Sequence, residues 1–156
     1  MKQLLILALL FVGLGLSAQS NKEEIELYQA IFGMEKKEVT AALINLPEEG
    51  KEKFWSLYDE YETERKDIGM RRVQLIQKYA EMYADLNEEN VTPLVKEAMG
   101  VREANNKLIQ SYYKKISSGV SPMAAAQFYQ LEHYFLSELN VAIYGNIPMV
   151  GELKMQ

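Results

Sequence analysis

The residues that could support acid–base or metal chemistry are two acidic runs and one histidine. They are Glu23-Glu24-Glu26, Asp59-Glu60-Glu62-Glu64 and His133, the single histidine of the chain. Paired carboxylates can serve as general acid and base, and spaced oxygen ligands can hold calcium. Neither run has the ligand spacing and glycine of a calcium loop, and helical spacing makes both a solvated helix face. One imidazole does not complete a zinc, nickel or copper site, so we expect His133 at the surface.

The chain also lacks the residues that nucleophilic catalysis and nucleotide binding usually require. The chain has no cysteine and contains no Gly-x-Ser-x-Gly, P-loop or Gly-x-Gly-x-x-Gly motif. We therefore predict a protein that is not an enzyme and has no catalytic residue, no metal and no cofactor.

Four charged residues stand on or beside apolar helical stripes, where an isolated charge is costly to desolvate. They are Arg65, Arg72, Glu103 and Glu132. We predict buried or half-buried arginine–carboxylate pairs that link helices, with bidentate geometry available to them. A structural role is favoured, because removing one partner strands the other charge. The alternative is that the pairs fix helix register or act as a polar switch.

Six aromatic and methionine residues could form an adaptable apolar surface for unfolded proteins, because methionine and tyrosine pack on irregular partners. They are Trp55, Tyr58, Tyr112, Tyr113, Met123 and Tyr129. The competing interpretation, which we favour, is that most of these side chains belong to the core.

Composition is that of an ordinary globular protein, with 48% apolar and 25% charged residues in a chain of 156. That length predicts a single domain. The formal charge of −5 falls by one unit when Lys2 is removed with the leader described below. An acidic chain disfavours nucleic acid and anionic membrane surfaces as partners. Without cysteine, stability comes from packing alone, and a lipidated cysteine is excluded.

The first residues have the order of a secretory signal peptide. Lys2 precedes an apolar run from Leu4 to Leu16, and the small residues Ser17 and Ala18 follow. A run of about thirteen residues is too short to span a bilayer core of about 30 Å. We predict cleavage after Ala18, a signal peptide over 1–18 and, in a double-membrane bacterium, a periplasmic protein without a membrane segment. An uncleaved anchor or a buried helix is the alternative.

The remaining chain has helical patterning throughout, which predicts an all-α fold of about four to five helices in long antiparallel hairpins. Short helices are predicted over 19–46, a helical hairpin domain over 47–145 and a tail over 146–156. The most regular stripe has apolar or arginine side chains in alternating steps of four and three, which predicts one long helix packed along a line against its partners. Its members are Phe54, Tyr58, Tyr61, Arg65, Ile68, Arg72, Leu75, Tyr79, Met82 and Leu86.

Helix starts are marked by capping residues and prolines. Pro47 precedes two acids and predicts the start of the long helix, and Ser121 with Pro122 predicts the start of the last one. Two starts fit the helix between them: Asn87 as a cap, or Thr92 with Pro93.

Part of the chain resembles the Spy/CpxP family of bacterial periplasmic proteins. The similarity rests on the leader and on three segments, covers roughly residues 46–150, and includes a turn related to the family's Leu-Thr-x-x-Gln motif. The segments are Phe54-Trp55-Ser56-Leu57-Tyr58-Asp59-Glu60-Tyr61 leading to Glu64-Arg65, Leu86-Asn87-Glu88-Glu89-Asn90, and Ala126-Gln127-Phe128-Tyr129-Gln130-Leu131-Glu132. The other copy of the motif, Leu46-Pro47-Glu48-Glu49-Gly50, has lost its threonine and glutamine.

The resemblance implies a curved helical hairpin that dimerises into a shallow cradle and binds proteins without ATP. We therefore expect a homodimer that binds misfolded proteins or an envelope-stress sensor. The alternatives are a regulator that docks on a membrane stress-signalling system, and a structural or small-ligand-binding bundle. The family's metal sensors use clustered histidines, which this chain lacks. Its clearest chaperones have a basic cradle, whereas this chain is acidic.

Overall fold

A computed structural model of the chain describes residue 33 and residues 35–151. The described residues form helices and turns without a β-strand, so the predicted all-α fold is confirmed. None of the helices in this part of the chain is long and apolar enough to cross a membrane. The predicted signal peptide, 1–18, lies outside the described residues, as do residues 19–32 and residue 34.

Within the described residues, four α-helices and two short 3-10 turns follow one another. Helix α1 covers 35–43, α2 is Lys51–Met82, α3 is Glu88–Gly119 and α4 is Pro122–Tyr144. The 3-10 turns, Glu48–Gly50 and Tyr83–Asp85, lie immediately before and after α2. The helical region predicted to begin at Pro47 therefore opens with a 3-10 turn, and α-helical geometry begins at Lys51.

The start of α3 is a capping box, which decides between the two predicted starts. The side chain of Asn87 accepts hydrogen bonds from the backbone N–H groups of Glu89 and Asn90. In return, Asn90 Oδ1 accepts from the N–H of Asn87 over 2.9 Å. Free N–H groups at the helix start are satisfied in this way. The alternative start, Thr92 with Pro93, lies inside α3.

The predicted stripe on α2 is buried or half-buried along its whole length. Its first turns carry the fully buried rings of Phe54, Tyr58 and Tyr61, whereas the positions from 65 to 82 are half-buried. Helix α3 runs antiparallel to α2, because Tyr112 bonds to Glu64 near one end and Lys78 pairs with Glu97 near the other. The buried residues of α3 include Leu94, Val101, Asn105, Leu108 and Tyr112.

The chain divides into two compact units. The smaller unit joins the described residues up to Ile44 with Gln130–Ile147, and the larger unit joins Asn45–Tyr129 with the residues from Pro148 onward. Helix α4 thus contributes its first turns to the larger unit and the rest to the smaller one. Its start follows the prediction, because Ser121 Oγ accepts from the N–H of Ala124 over 3.1 Å.

Candidate functional site

In the smaller unit, a buried ion pair joins α1 to α4. Lys36 Nζ donates to Glu132 Oε2 over 2.7 Å, and the two side chains are 1% and 3% exposed. Lys36 Nζ also lies 5.5 Å from the centre of the Phe135 ring, a favourable place for a cation. Thr40 and Ile44 are buried one and two turns after Lys36, so this face of α1 is the one that faces inward.

A buried ion pair of this kind is a structural element rather than a reactive one. Both charges are largely neutralised by each other, and the cation is further balanced by the aromatic face of Phe135. Glu132 is thus buried in an ion pair, and the partner shown for it is Lys36. Its predicted pairing with an arginine stays a prediction.

The other three predicted ion-pair residues have the following surroundings. Arg65 makes a bidentate contact with Glu62 on its own helix, with Nε–Oε1 and Nη2–Oε2 distances of 2.9 and 2.8 Å. Both side chains are mostly buried, at 13% and 11% exposure. Arg72 is half-buried on the same stripe. Glu103 pairs with Lys107 one turn along α3, at the surface, and this ammonium lowers the pKa of the Glu103 carboxyl.

The core of the larger unit is a continuous aromatic cluster. Tyr61 lies edge-on to Tyr112 of α3 and to Phe128 of α4, with ring centres 5.4 and 5.0 Å apart. Along α2, the Trp55 ring lies edge-on to Phe54 and to Tyr58. Among the six residues predicted for a client surface, Tyr58 and Tyr112 are therefore core residues, and Trp55 is half-buried at its margin.

The buried hydroxyl of Tyr112 has a charged partner. It donates to Glu64 Oε1 over 2.7 Å. Burial, and then the hydrogen bond to Glu64, raise the pKa of the Tyr112 phenol, because a phenolate would be poorly solvated and close to a carboxylate. At neutral pH this tyrosine is a hydrogen-bond donor, and it ties α3 to α2.

The remaining three residues of the predicted client surface are exposed. Tyr113 of α3 and Tyr129 of α4 lie edge to face, with ring centres 6.0 Å apart, and are 37% and 41% exposed. Met123, in the first turn of α4, is 67% exposed. The two tyrosines form a small aromatic patch, which we call the tyrosine pair.

A shallow pocket lies at the turn between α2 and α3, next to residues that follow α4. Its volume is about 250 Å³, and its walls are mainly apolar. The lining residues are Tyr83, Ala84, Leu86, Asn87, Glu88, Val91, Val150 and Gly151. Two hydroxyls hold the end of the described chain here: Tyr79 donates to the carbonyl of Pro148 over 2.8 Å, and Tyr83 to that of Met149 over 2.7 Å.

The acidic runs and the histidine do not converge on one site. Asp59 and Glu60 are exposed, while Glu62 and Glu64 are engaged by Arg65 and Tyr112. His133 is half-buried on α4. Within residues 35–151, no three histidine, aspartate or glutamate side chains are grouped as a metal site would require. The run Glu23-Glu24-Glu26 lies outside the described residues.

Two features of the described chain were missed by reasoning from the sequence. Lys36 was not considered as a partner for Glu132, although its spacing of four to Thr40 and of eight to Ile44 is a weak sign of an inward-facing stripe. Tyr79 was treated only as part of an apolar stripe, and Tyr83 was not considered at all. Their spacing of four places both on one helix face, where two donors can act together.

In comparisons with known proteins, no protein-family model, no curated protein and no solved structure matches the chain.

Proposed function

We propose that the chain is a non-enzymatic periplasmic protein of the Spy/CpxP type, which binds misfolded proteins as a homodimer. The observation that supports this best is the tyrosine pair, Tyr113 and Tyr129, exposed on neighbouring helices. Tyrosine offers a large, rigid and amphipathic contact area at a low cost in side-chain entropy, which suits it to many partners. Met123 adds an exposed side chain that adapts to irregular surfaces.

Charge selects among clients. The chain carries a formal charge of −5, so it attracts basic segments and repels acidic ones at long range. Basic, unfolded proteins are therefore the clients we expect to be bound fastest, and their binding should weaken as salt is added.

The test is suppression of aggregation. A reduced or heat-denatured client is mixed with the purified chain at substoichiometric to equimolar ratios, and light scattering is followed. We expect slower aggregation, and we expect Tyr113→Ser/Tyr129→Ser to lose most of the effect. Tyr134→Ser is the matched control, because Tyr134 is also on α4 and is 46% exposed. Full aggregation at every ratio would reject the chaperone function.

A regulatory function gives a different result. If the protein instead docks on one membrane stress sensor, a single inner-membrane protein should be recovered with it from cells, and client aggregation should proceed unchanged. A small-ligand function is less well supported, because a pocket of about 250 Å³ is smaller than the roughly 300–1,000 Å³ typical of ligand sites. The homodimer is tested separately by analytical ultracentrifugation at micromolar concentration, where a monomer throughout would contradict it.

A further inference from the structure

We propose that the pocket at the turn between α2 and α3 is a binding site for polypeptide main chain, and that residues 148–151, the strap, cover it until a client segment displaces them. The inference rests on the proposed function, because it assigns the misfolded clients a second contact site in the larger unit. Strap and pocket belong to the same compact unit.

The contacts that hold the strap are made to its backbone. Two successive carbonyls, those of Pro148 and Met149, accept hydrogen bonds from the hydroxyls of Tyr79 and Tyr83. Both distances, 2.8 and 2.7 Å, are typical of good O–H···O bonds. Pro148 and Met149 both lie outside the helices. The two donors therefore select a non-helical main chain rather than a particular side chain.

Recognition of this kind suits an unfolded client. Every residue of an unfolded polypeptide has a backbone carbonyl, and those carbonyls are not taken up by helices or sheets. Two tyrosines four residues apart, Tyr79 on α2 and Tyr83 in the 3-10 turn that follows it, can thus bind segments of many sequences. The apolar pocket beside them, lined by Leu86 and Val91 among others, offers a place for one client side chain.

The strap itself fills the site poorly, so it can leave. Met149 and Val150 are 75% and 60% exposed, although Val150 borders an apolar pocket. Little apolar surface is therefore hidden by the strap, and both hydrogen bonds join neutral groups, which is the weaker kind. A client segment that makes the same two bonds and also inserts an apolar side chain buries more surface than the strap does.

The test uses a fluorescently labelled peptide with the sequence of residues 146–156, whose binding to the full chain is followed by anisotropy. In Val150→Asp, a carboxylate is placed at the apolar pocket beside Glu88 and should expel the strap. We expect the peptide to bind this variant about tenfold more tightly than the unmodified chain. If the strap covers the site in about nine-tenths of the molecules, only about one-tenth of the unmodified chain can bind the peptide, and expelling the strap removes that limit. Asn146→Asp is the matched control, because it adds the same charge at an exposed residue that lies outside the strap and does not line the pocket.

A second pair of variants tests the hydroxyls. Adding Tyr79→Phe and Tyr83→Phe to Val150→Asp should remove the gain, because both donors are lost while the rings remain. The last helix of the described residues ends at Tyr144, before the strap, so circular dichroism should be unchanged in each variant. If Val150→Asp lowers helicity, Val150→Gly provides the same comparison without a charge.

Each result supports or overturns the inference, and it does so independently of the proposed function. Equal binding by Val150→Asp and Asn146→Asp would overturn the covering role of the strap, and a gain that survives loss of both hydroxyls would overturn main-chain recognition. If the unmodified chain slows aggregation and Val150→Asp is no more potent, the function stands and the inference fails. If the peptide results hold while no variant slows aggregation, the site stands and the chaperone function fails.

Discussion

Lys36 Nζ lies 2.7 Å from Glu132 Oε2, and less than a twentieth of either side chain is exposed. The two residues are 96 positions apart in the chain, so the pair joins the N-terminal and C-terminal parts of the smaller unit. Forming the pair requires both charges to leave water, which offsets much of their attraction. The stability lost on removing one partner therefore depends mainly on the charge of the other, which stays buried.

Replacing Glu132 by glutamine should destabilise the protein strongly. The substitution keeps the shape of the side chain but leaves the Lys36 ammonium buried without its counter-charge, which costs about 3–5 kcal/mol. Denaturant unfolding followed by circular dichroism measures the loss, and the melting temperature should fall by several degrees. Glu138→Gln is the matched control, because Glu138 is on the same helix and is exposed.

The paired substitution Lys36→Met/Glu132→Leu should recover most of that loss. An apolar pair of similar volume needs no counter-charge, and such replacements are often neutral or stabilising. A double variant as unstable as Glu132→Gln would contradict a purely electrostatic penalty and would point to packing instead.

Tyr112 should make stability fall at alkaline pH. Its pKa is raised in the folded chain above the unfolded value of about 10, so the folded state holds the proton more tightly. The resulting stabilisation is complete below about pH 10 and is lost as the pH rises above it. Tyr112→Phe should be less stable than the unmodified chain at roughly pH 8, and the difference should shrink at roughly pH 11.

Two further measurements isolate this effect. Glu64→Gln keeps a hydrogen-bond acceptor but removes the charge. This variant should therefore lose less stability at alkaline pH than the unmodified chain, while the loss that is due to the burial of Tyr112 remains. Phenolate absorbance should show one tyrosine fewer ionising on alkaline unfolding in Tyr112→Phe than in the unmodified chain. Parallel pH profiles for Tyr112→Phe and the unmodified chain would refute the assignment.

Local signals in the sequence predicted the helices well because each depends on neighbours within a few residues. The stripe from Phe54 to Leu86 and the cap at Ser121 were read from spacing alone, and the side chains are buried or bonded as predicted. The contact between Glu103 and Lys107 is also local, at a spacing of four, but the partner predicted for Glu103 was an arginine on another helix. Helical spacing permits several partners, and the nearest one was overlooked.

Partners that are distant in the chain could not be predicted in this way. Lys36 lies in the charged run Glu35-Lys36-Lys37-Glu38, a pattern typical of a solvated helix, and only the packing of α1 makes it buried. The strap has no periodicity at all, so nothing in its sequence indicates that two tyrosine hydroxyls bind its carbonyls. Long-range pairing of this kind depends on the tertiary fold.

The capping box at Asn87 should contribute measurably to the stability of α3. Asn87→Ala removes the acceptor for two backbone N–H groups at the helix start and should cost about 1 kcal/mol. Asn106→Ala is the control, since Asn106 is exposed within the same helix and alanine there favours helix formation. Equal stability of Asn87→Ala and the unmodified chain would show that water satisfies these groups equally well.

Two glycine-to-alanine substitutions should have opposite effects. At Gly50, a Cβ would lie 2.7 Å from Val120 Cγ1 and 3.2 Å from Pro47 Cγ, so alanine forces neighbours apart and should cost about 1–3 kcal/mol. At Gly100, inside α3, the nearest atom is Arg71 Nη2 at 4.0 Å, so alanine fits and should stabilise by up to about 1 kcal/mol through helix propensity. Adding Val120→Ala to Gly50→Ala should give a favourable coupling in a double-mutant cycle. A strictly additive cycle would mean that the close approach to Val120 is not what excludes a side chain at residue 50.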